Sequence, residues 1–121
     1  SQTPTHAPMD VYYMGVFASP NQVDFYVDIS EWFEQRVKAE AAFSTQGHDE
    51  AWAERRMICD IGHQGWFAHT QYAEGFLRSK RELYNALPVR MDQLHLFNSS
   101  RLEMMKWMVP GKNATNPYKS K

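Results

Sequence analysis

Tyr72 and Glu74 stand two residues apart inside an apolar, aromatic stretch, residues 66–76 (WFAHTQYAEGF). A phenol and a carboxylate in such surroundings are costly unless each finds a partner. Two readings follow. In one, the pair is a buried hydrogen-bonding unit. In the other, the Tyr72 hydroxyl is aimed at a developing oxyanion while Glu74 orients neighbouring groups or contacts substrate. His69 and His63 lie close enough in sequence to join a site with Glu74. A zinc ion would need three or four such ligands converging, and the spacing here matches no compact zinc motif. The remaining histidines, His6, His48 and His95, are scattered. Cys59 sits among Met57, Ile58 and Ile61 and reads as a buried, inert thiol. No GxGxxG, P-loop, HExxH or GxSxG sequence is present.

The elements that must position these residues are short. Residues 11–17 (VYYMGVF) and 23–29 (VDFYVDI) have the β-branched and aromatic content of strands, able to pair as a hairpin or to share one sheet. Asp28 with Glu31 has the spacing of a capping box, predicting a helix from there to about Ser44 with Ile29, Trp32, Phe33, Val37 and Ala41 on its apolar face. Gln46-Gly47 ends it, and His48-Asp49-Glu50 opens a second helix with Trp52, Met57, Ile58 and Ile61 facing inward. Gly62 and Gly65 either break that helix or let another segment approach closely. Residues 66–76 have no clear period. Residues 91–108 read as a partly helical last segment whose Met and Trp residues form core or an oligomer contact.

The 121 residues are one domain's worth. Hydrophobic residues at 43% and charged residues at 22% exclude a disordered chain, a collagen-like chain and a disulfide scaffold. A net charge of -1 argues against binding nucleic acid by bulk charge. No apolar run is long enough for a membrane-spanning helix, and residues 1–8 lack the pattern of a signal peptide. With a single cysteine, these features predict a cytoplasmic protein. Asn98 and Asn113 head chance-level glycosylation triplets. The expected division is a linker over residues 1–9, a folded portion over 10–108 and a mobile basic tail over 109–121.

Four ordered stretches resemble the C-terminal part of the LmbE-like (PIG-L) zinc-dependent N-deacetylases. They are the approach to a strand at residues 5–13 (THAPMDVYY), Val27-Asp28-Ile29-Ser30, the helix carrying Arg36, Ala39, Phe43 and Thr45-Gln46, and Gly62-x-x-Gly65 followed by Tyr72-Ala73-Glu74-Gly75-Phe76. The resemblance spans residues 5–78. It implies an α/β, Rossmann-like fold of which this chain holds two strands and about three helices. It also implies hydrolysis of an N-acetyl group on a sugar conjugate of the N-acetylglucosamine type, with zinc as cofactor. By that resemblance Tyr72 is the catalytic residue, an oxyanion donor, and Glu74 is substrate-binding; His69, outside the matching segment, is a further substrate-binding candidate. Arg36 replaces the family's usual lysine and Thr45 its usual serine. The family's A-H-P-D-D-E metal motif and its later histidine ligand are absent here, so the zinc ligands are expected outside this chain, in a missing N-terminal half or a second chain. The chain alone is expected to be inactive, and its sheet remnant to drive homo-oligomerisation. Two alternatives stand beside this: a non-catalytic interaction module using residues 102–108, and a small enzyme or metal carrier using His63, His69 and Glu74.

Overall fold

The computed structural model describes residues 10–15, 18–43, 45, 47, 49–88, 90, 99–111 and 114–118. Among these described residues three strands form one sheet: β1 (Tyr12–Met14), β2 (Phe25–Asp28) and β3 (Ala73–Arg78). Helices α1 (Phe33–Ala41) and α2 (Glu50–Ala68) lie between β2 and β3 in sequence, and α3 (Arg101–Trp107) follows. The chain therefore mixes helices with strands, as an α/β class requires. The two strands anticipated from the sequence do share a sheet, but they do not pair with each other. The order is β1-β3-β2, antiparallel throughout, with Phe76 opposite both Met14 and Phe25.

β3 is the strand that residues 66–76 concealed. Its sequence, AEGFLR, alternates poorly because Glu74 and Arg78 sit among its apolar positions and Gly75 has no side chain. Both polar residues find partners after folding, which local pattern cannot reveal.

The helix starts differ from the expectation at Asp28. Its Oδ1 accepts from the amide (3.0 Å) and the hydroxyl (2.7 Å) of Ser30, an Asx-type turn in place of a capping box. The Ile29 amide is taken by the carbonyl of Tyr72 at 3.0 Å. A single 3-10 turn over Ser30–Trp32 then leads into α1. At α2 the acidic start holds, with Asp49 Oδ1 accepting from the Trp52 amide at 2.8 Å.

Gly62 and Gly65 do not break α2, which runs through both. Gly65 serves close approach: a Cβ there would lie 2.4 Å from the carbonyl oxygen of Gln71 and 2.8 Å from that of Thr70. The helix ends three residues later, at Ala68, in a Schellman motif. The Thr70 amide donates to Gly65 O (2.9 Å) and the His69 amide to Trp66 O (3.4 Å), with His69 itself left-handed at φ 60°. This reversal delivers the chain directly into β3.

The core is small and lies between α1, α2 and the start of β3. Val37, Ala53, Met57, Ile61 and Tyr72 are its buried members, with Ile29, Phe33 and Ala41 packed against them. Each full burial of such a side chain stabilises by about 1.5–3 kcal/mol. Trp107 of α3 is also buried, so the last segment's Trp contributes to the interior, while Leu102 and Met105 stay exposed. Cys59 corrects the sequence expectation: it is an exposed free cysteine, because the buried stripe of α2 runs through Ala53, Met57, Ile61 and Gly65. Trp52 and Ile58, also expected inside, are exposed for the same reason, and Trp32 is exposed in the 3-10 turn ahead of α1.

Candidate functional site

Parts of three of the four quoted stretches meet at the start of β3, while the described part of the first, at Tyr12 and Tyr13, pairs with the other end of that strand. Ser30 Oγ accepts from the Tyr72 amide (3.1 Å), donates to Asp28 and lies 3.1 Å from Thr70 Oγ1. Thr70 Oγ1 in turn accepts from the buried indole of Trp107 at 3.0 Å. Arg36 Nε donates to Glu74 Oε1 at 2.6 Å, tying α1 to β3. Gly62 faces the Tyr72 ring, which a Cβ would meet at 3.8 Å. Val27-Asp28-Ile29-Ser30, Arg36, the two glycines and Tyr72-Ala73-Glu74 thus surround the N-terminal end of β3.

Tyr72 is only 6% exposed, its ring stacked on Phe33 at 4.1 Å between centroids. Its hydroxyl has no hydrogen-bond partner among the described residues, and the side chain lines a cleft of about 580 Å³ shared with Ser30, Phe33, Glu34 and Glu54. Burial raises the phenol's pKa and Glu54 raises it further, so the hydroxyl stays protonated and able to donate.

Glu74 sits elsewhere in function. It belongs to a chain of charges, Glu74–Arg36–Glu40–Arg56, in which Glu40 is buried and bonded by both arginines. Desolvation lowers the Arg36 pKa, but Glu74 and Glu40 outweigh it and the guanidinium is held firmly charged. Glu74 is therefore committed to positioning Arg36.

His69 lines a different cleft, of about 420 Å³, with Asp24, Tyr26, Asp28, Thr70 and Tyr118. Its backbone carbonyl accepts from the Tyr118 hydroxyl at 2.7 Å, so a residue of the expected tail packs beside it. Asp28 lines the His69 cleft and Ser30 the Tyr72 cleft. The sequence-derived trio is thus divided: Tyr72 in one cleft, His69 in another and Glu74 in an ion pair. His63, the other candidate ligand, stands on α2 with its ring edge-on to Phe67 at 4.9 Å. Among the described residues no group of three or more His, Cys, Asp or Glu side chains is placed to hold a metal ion. No described helix is long and apolar enough to cross a membrane. His6, His48 and His95, both glycosylation asparagines and the linker at residues 1–9 lie outside the described residues.

Sequence reasoning missed Phe33 and Glu54 as neighbours of Tyr72. Phe33 had a signal, its place on the apolar stripe of α1. Glu54 had none, since only the packing of α2 brings it to a tyrosine eighteen residues on. No family model, no curated protein and no solved structure matches this chain.

Proposed function

We propose that this chain forms the C-terminal portion of a zinc-dependent N-deacetylase of the LmbE-like type, acting on an N-acetylated sugar conjugate. The observation that supports the reading is the convergence on Tyr72 and Glu74 of motif residues far apart in sequence, Ser30 and Arg36 foremost. The sheet is compatible with it. Antiparallel strands commonly sit at the edge of larger parallel sheets, and β1 and β2 both leave an outer edge open within this sheet. A Rossmann-like whole, cytoplasmic and completed by an N-terminal half or a second chain, would supply the zinc ligands, whose role is to polarise the acetyl carbonyl. The described residues of this chain do not assemble such a ligand set.

What this chain would contribute is a protonated phenol on a rigid mount. Phe33 fixes the Tyr72 ring and Ser30 fixes its backbone, so the hydroxyl needs little reorganisation to donate to an oxygen gaining charge. Glu74 acts one step back, holding Arg36 across α1 and β3. Two measurements test the reading. The reading frame upstream of Ser1 should encode the A-H-P-D-D-E segment; a frame without it removes the proposal. In the protein carrying that segment, Tyr72→Phe should lower acetate release from an N-acetylglucosamine conjugate by about 10²–10³ while leaving the fold unchanged.

A specific observation also favours the non-catalytic reading. Tyr12, Tyr13 and Met14 of the short edge strand are all exposed, as are Trp32 and Trp66. Exposed apolar edges of this kind serve association with a second copy or a partner. Sedimentation of the purified chain decides: a concentration-dependent dimer supports it, and a strict monomer removes it.

A further inference from the structure

α2 has two apolar faces, and the fold uses one of them. Ala53, Met57, Ile61 and Gly65 form its buried stripe. At about 100° per residue, Trp52, Cys59, His63 and Trp66 fall within about 60° of arc on the opposite side. All four are exposed, Trp66 at 61%, and the exposed Phe67 borders them. A helix needs only one apolar face to pack on its own domain, so a second one running its length is a contact surface. This stripe is also symmetric. Trp52 and Trp66 each stand seven residues, about two turns, from Cys59. A different protein docking here imposes no such spacing. A two-fold dimer does, because the same surface must then face itself.

We infer that α2 packs antiparallel against α2 of a second copy of this chain, about a two-fold axis that passes beside Cys59. This arrangement lays Trp52 of one copy against Trp66 of the other, twice over. Arg55, which has no ion pair among the described residues, lies on the same border of the stripe as Trp66. The pairing brings its guanidinium to the indole of the other copy, a cation over an aromatic face. No carboxylate falls within the stripe, so closing it strands no buried acid, and antiparallel alignment opposes the two helix macrodipoles. The exposed parts of Trp52, Trp66 and Phe67 amount to about 700 Å² over two copies. With the stems of Arg55, Cys59 and His63 the contact reaches about 1,000 Å², enough for a specific dimer of modest affinity. The inference rests on the association reading above, whose contact it places on α2, and it is independent of the deacetylase reading.

The test is disulfide formation at Cys59 in the 121-residue chain, with copper phenanthroline as the oxidant. Facing helices about 8–10 Å apart bring the two Cys59 Cα atoms within the roughly 7 Å that a disulfide spans. A residue four positions from the axis is separated from its copy by about 12 Å along the helix. Cys59 should therefore cross-link at a rate independent of protein concentration once the dimer has formed. Arg55→Cys in a Cys59→Ser background should cross-link at least about tenfold more slowly. Trp66→Glu, at an exposed position, should weaken the dimer at least about thirtyfold in sedimentation without moving the melting temperature. Tyr13→Glu, on the edge strand, should leave the dimer unchanged. A dimer that cross-links as fast through position 55, or that survives Trp66→Glu and is lost with Tyr13→Glu, overturns this inference and leaves the association reading in place. A strict monomer overturns both.

Discussion

The two ends of β3 are built from different materials. At its start, the Thr70–Glu74 segment is held by Ser30, Arg36, Trp107 and the close face of α2, and its members are buried or half-buried. At its end, Phe76 and Arg78 meet Phe25 in an aromatic stack of 5.6 Å with the guanidinium 4.8 Å above the ring. There the neighbours Tyr12 and Tyr84 are exposed. Polar groups at the first end bond across long sequence separations. Those at the second sit at exposed positions, where Glu82 bonds near in sequence to Arg78 and Tyr84 and far in sequence to Tyr12, and Asp24 accepts from the Arg78 amide. Arg78 Nε lies 3.0 Å from Glu82 yet misses hydrogen-bond alignment, leaving an ion pair at the surface. The lesson is that burial separates the two ends: both are tied across long sequence separations, but the bonds at the start of β3 are buried or half-buried and those at its end are open to solvent.

The sharpest way to break this contrast is Gly65→Ala. The added methyl collides with the Gln71 backbone, which cannot give way as a side chain would. A loss of about 3 kcal/mol in urea unfolding is expected. Gly62→Ala is the control on the same helix. Its methyl meets the Tyr72 ring at an ordinary 3.8 Å, so helix propensity should dominate and stabilise by about 1 kcal/mol.

Ser30→Ala comes next. It removes the hydroxyl that joins Asp28, Thr70 and the Tyr72 amide, and a loss of about 1–2 kcal/mol is expected. The Arg36→Met and Glu74→Gln pair is smaller. Their side chains are 25% and 18% exposed, so solvent screens them, and a double-mutant cycle should give a coupling of about 0.5–1 kcal/mol.

At the other end of β3, Glu82→Gln should leave the urea midpoint at neutral pH nearly unmoved. The Tyr84 hydroxyl, then Arg78, holds the Glu82 carboxyl below its ordinary pKa. A carboxylate lowered in the fold stabilises above its unfolded pKa, and that contribution fades as pH falls through the lowered folded value. Acid titration of the wild type against the variant should therefore converge at low pH. A large gap at neutral pH would show that this end matters more than its exposure implies.

How much of this was legible beforehand follows the same division. α1 and α2 were readable because their apolar residues recur at helical spacing, and Met57 and Ile61 fell where expected. β1 and β2 were readable from their aromatic and β-branched runs. β3 was not, since Glu74 looks like an interruption until Arg36 arrives from thirty-eight residues away. Tyr72 is buried as its apolar surroundings imply, and the left-handed turn at His69, which no local pattern signals, puts the two side chains in separate clefts. Cys59 stands two positions from both Met57 and Ile61, which puts it on the face of α2 opposite the buried stripe.

The Schellman turn at His69 also has a consequence on the time axis. It joins the longest described helix to the central strand through four residues, Gly65 packs against that joint, and α2 and β3 are expected to open together. Deuterium uptake should then divide the chain into two populations. Amides of α2 and the first half of β3 should exchange slowly and in concert, and those of β1 rapidly, as an independently fraying unit.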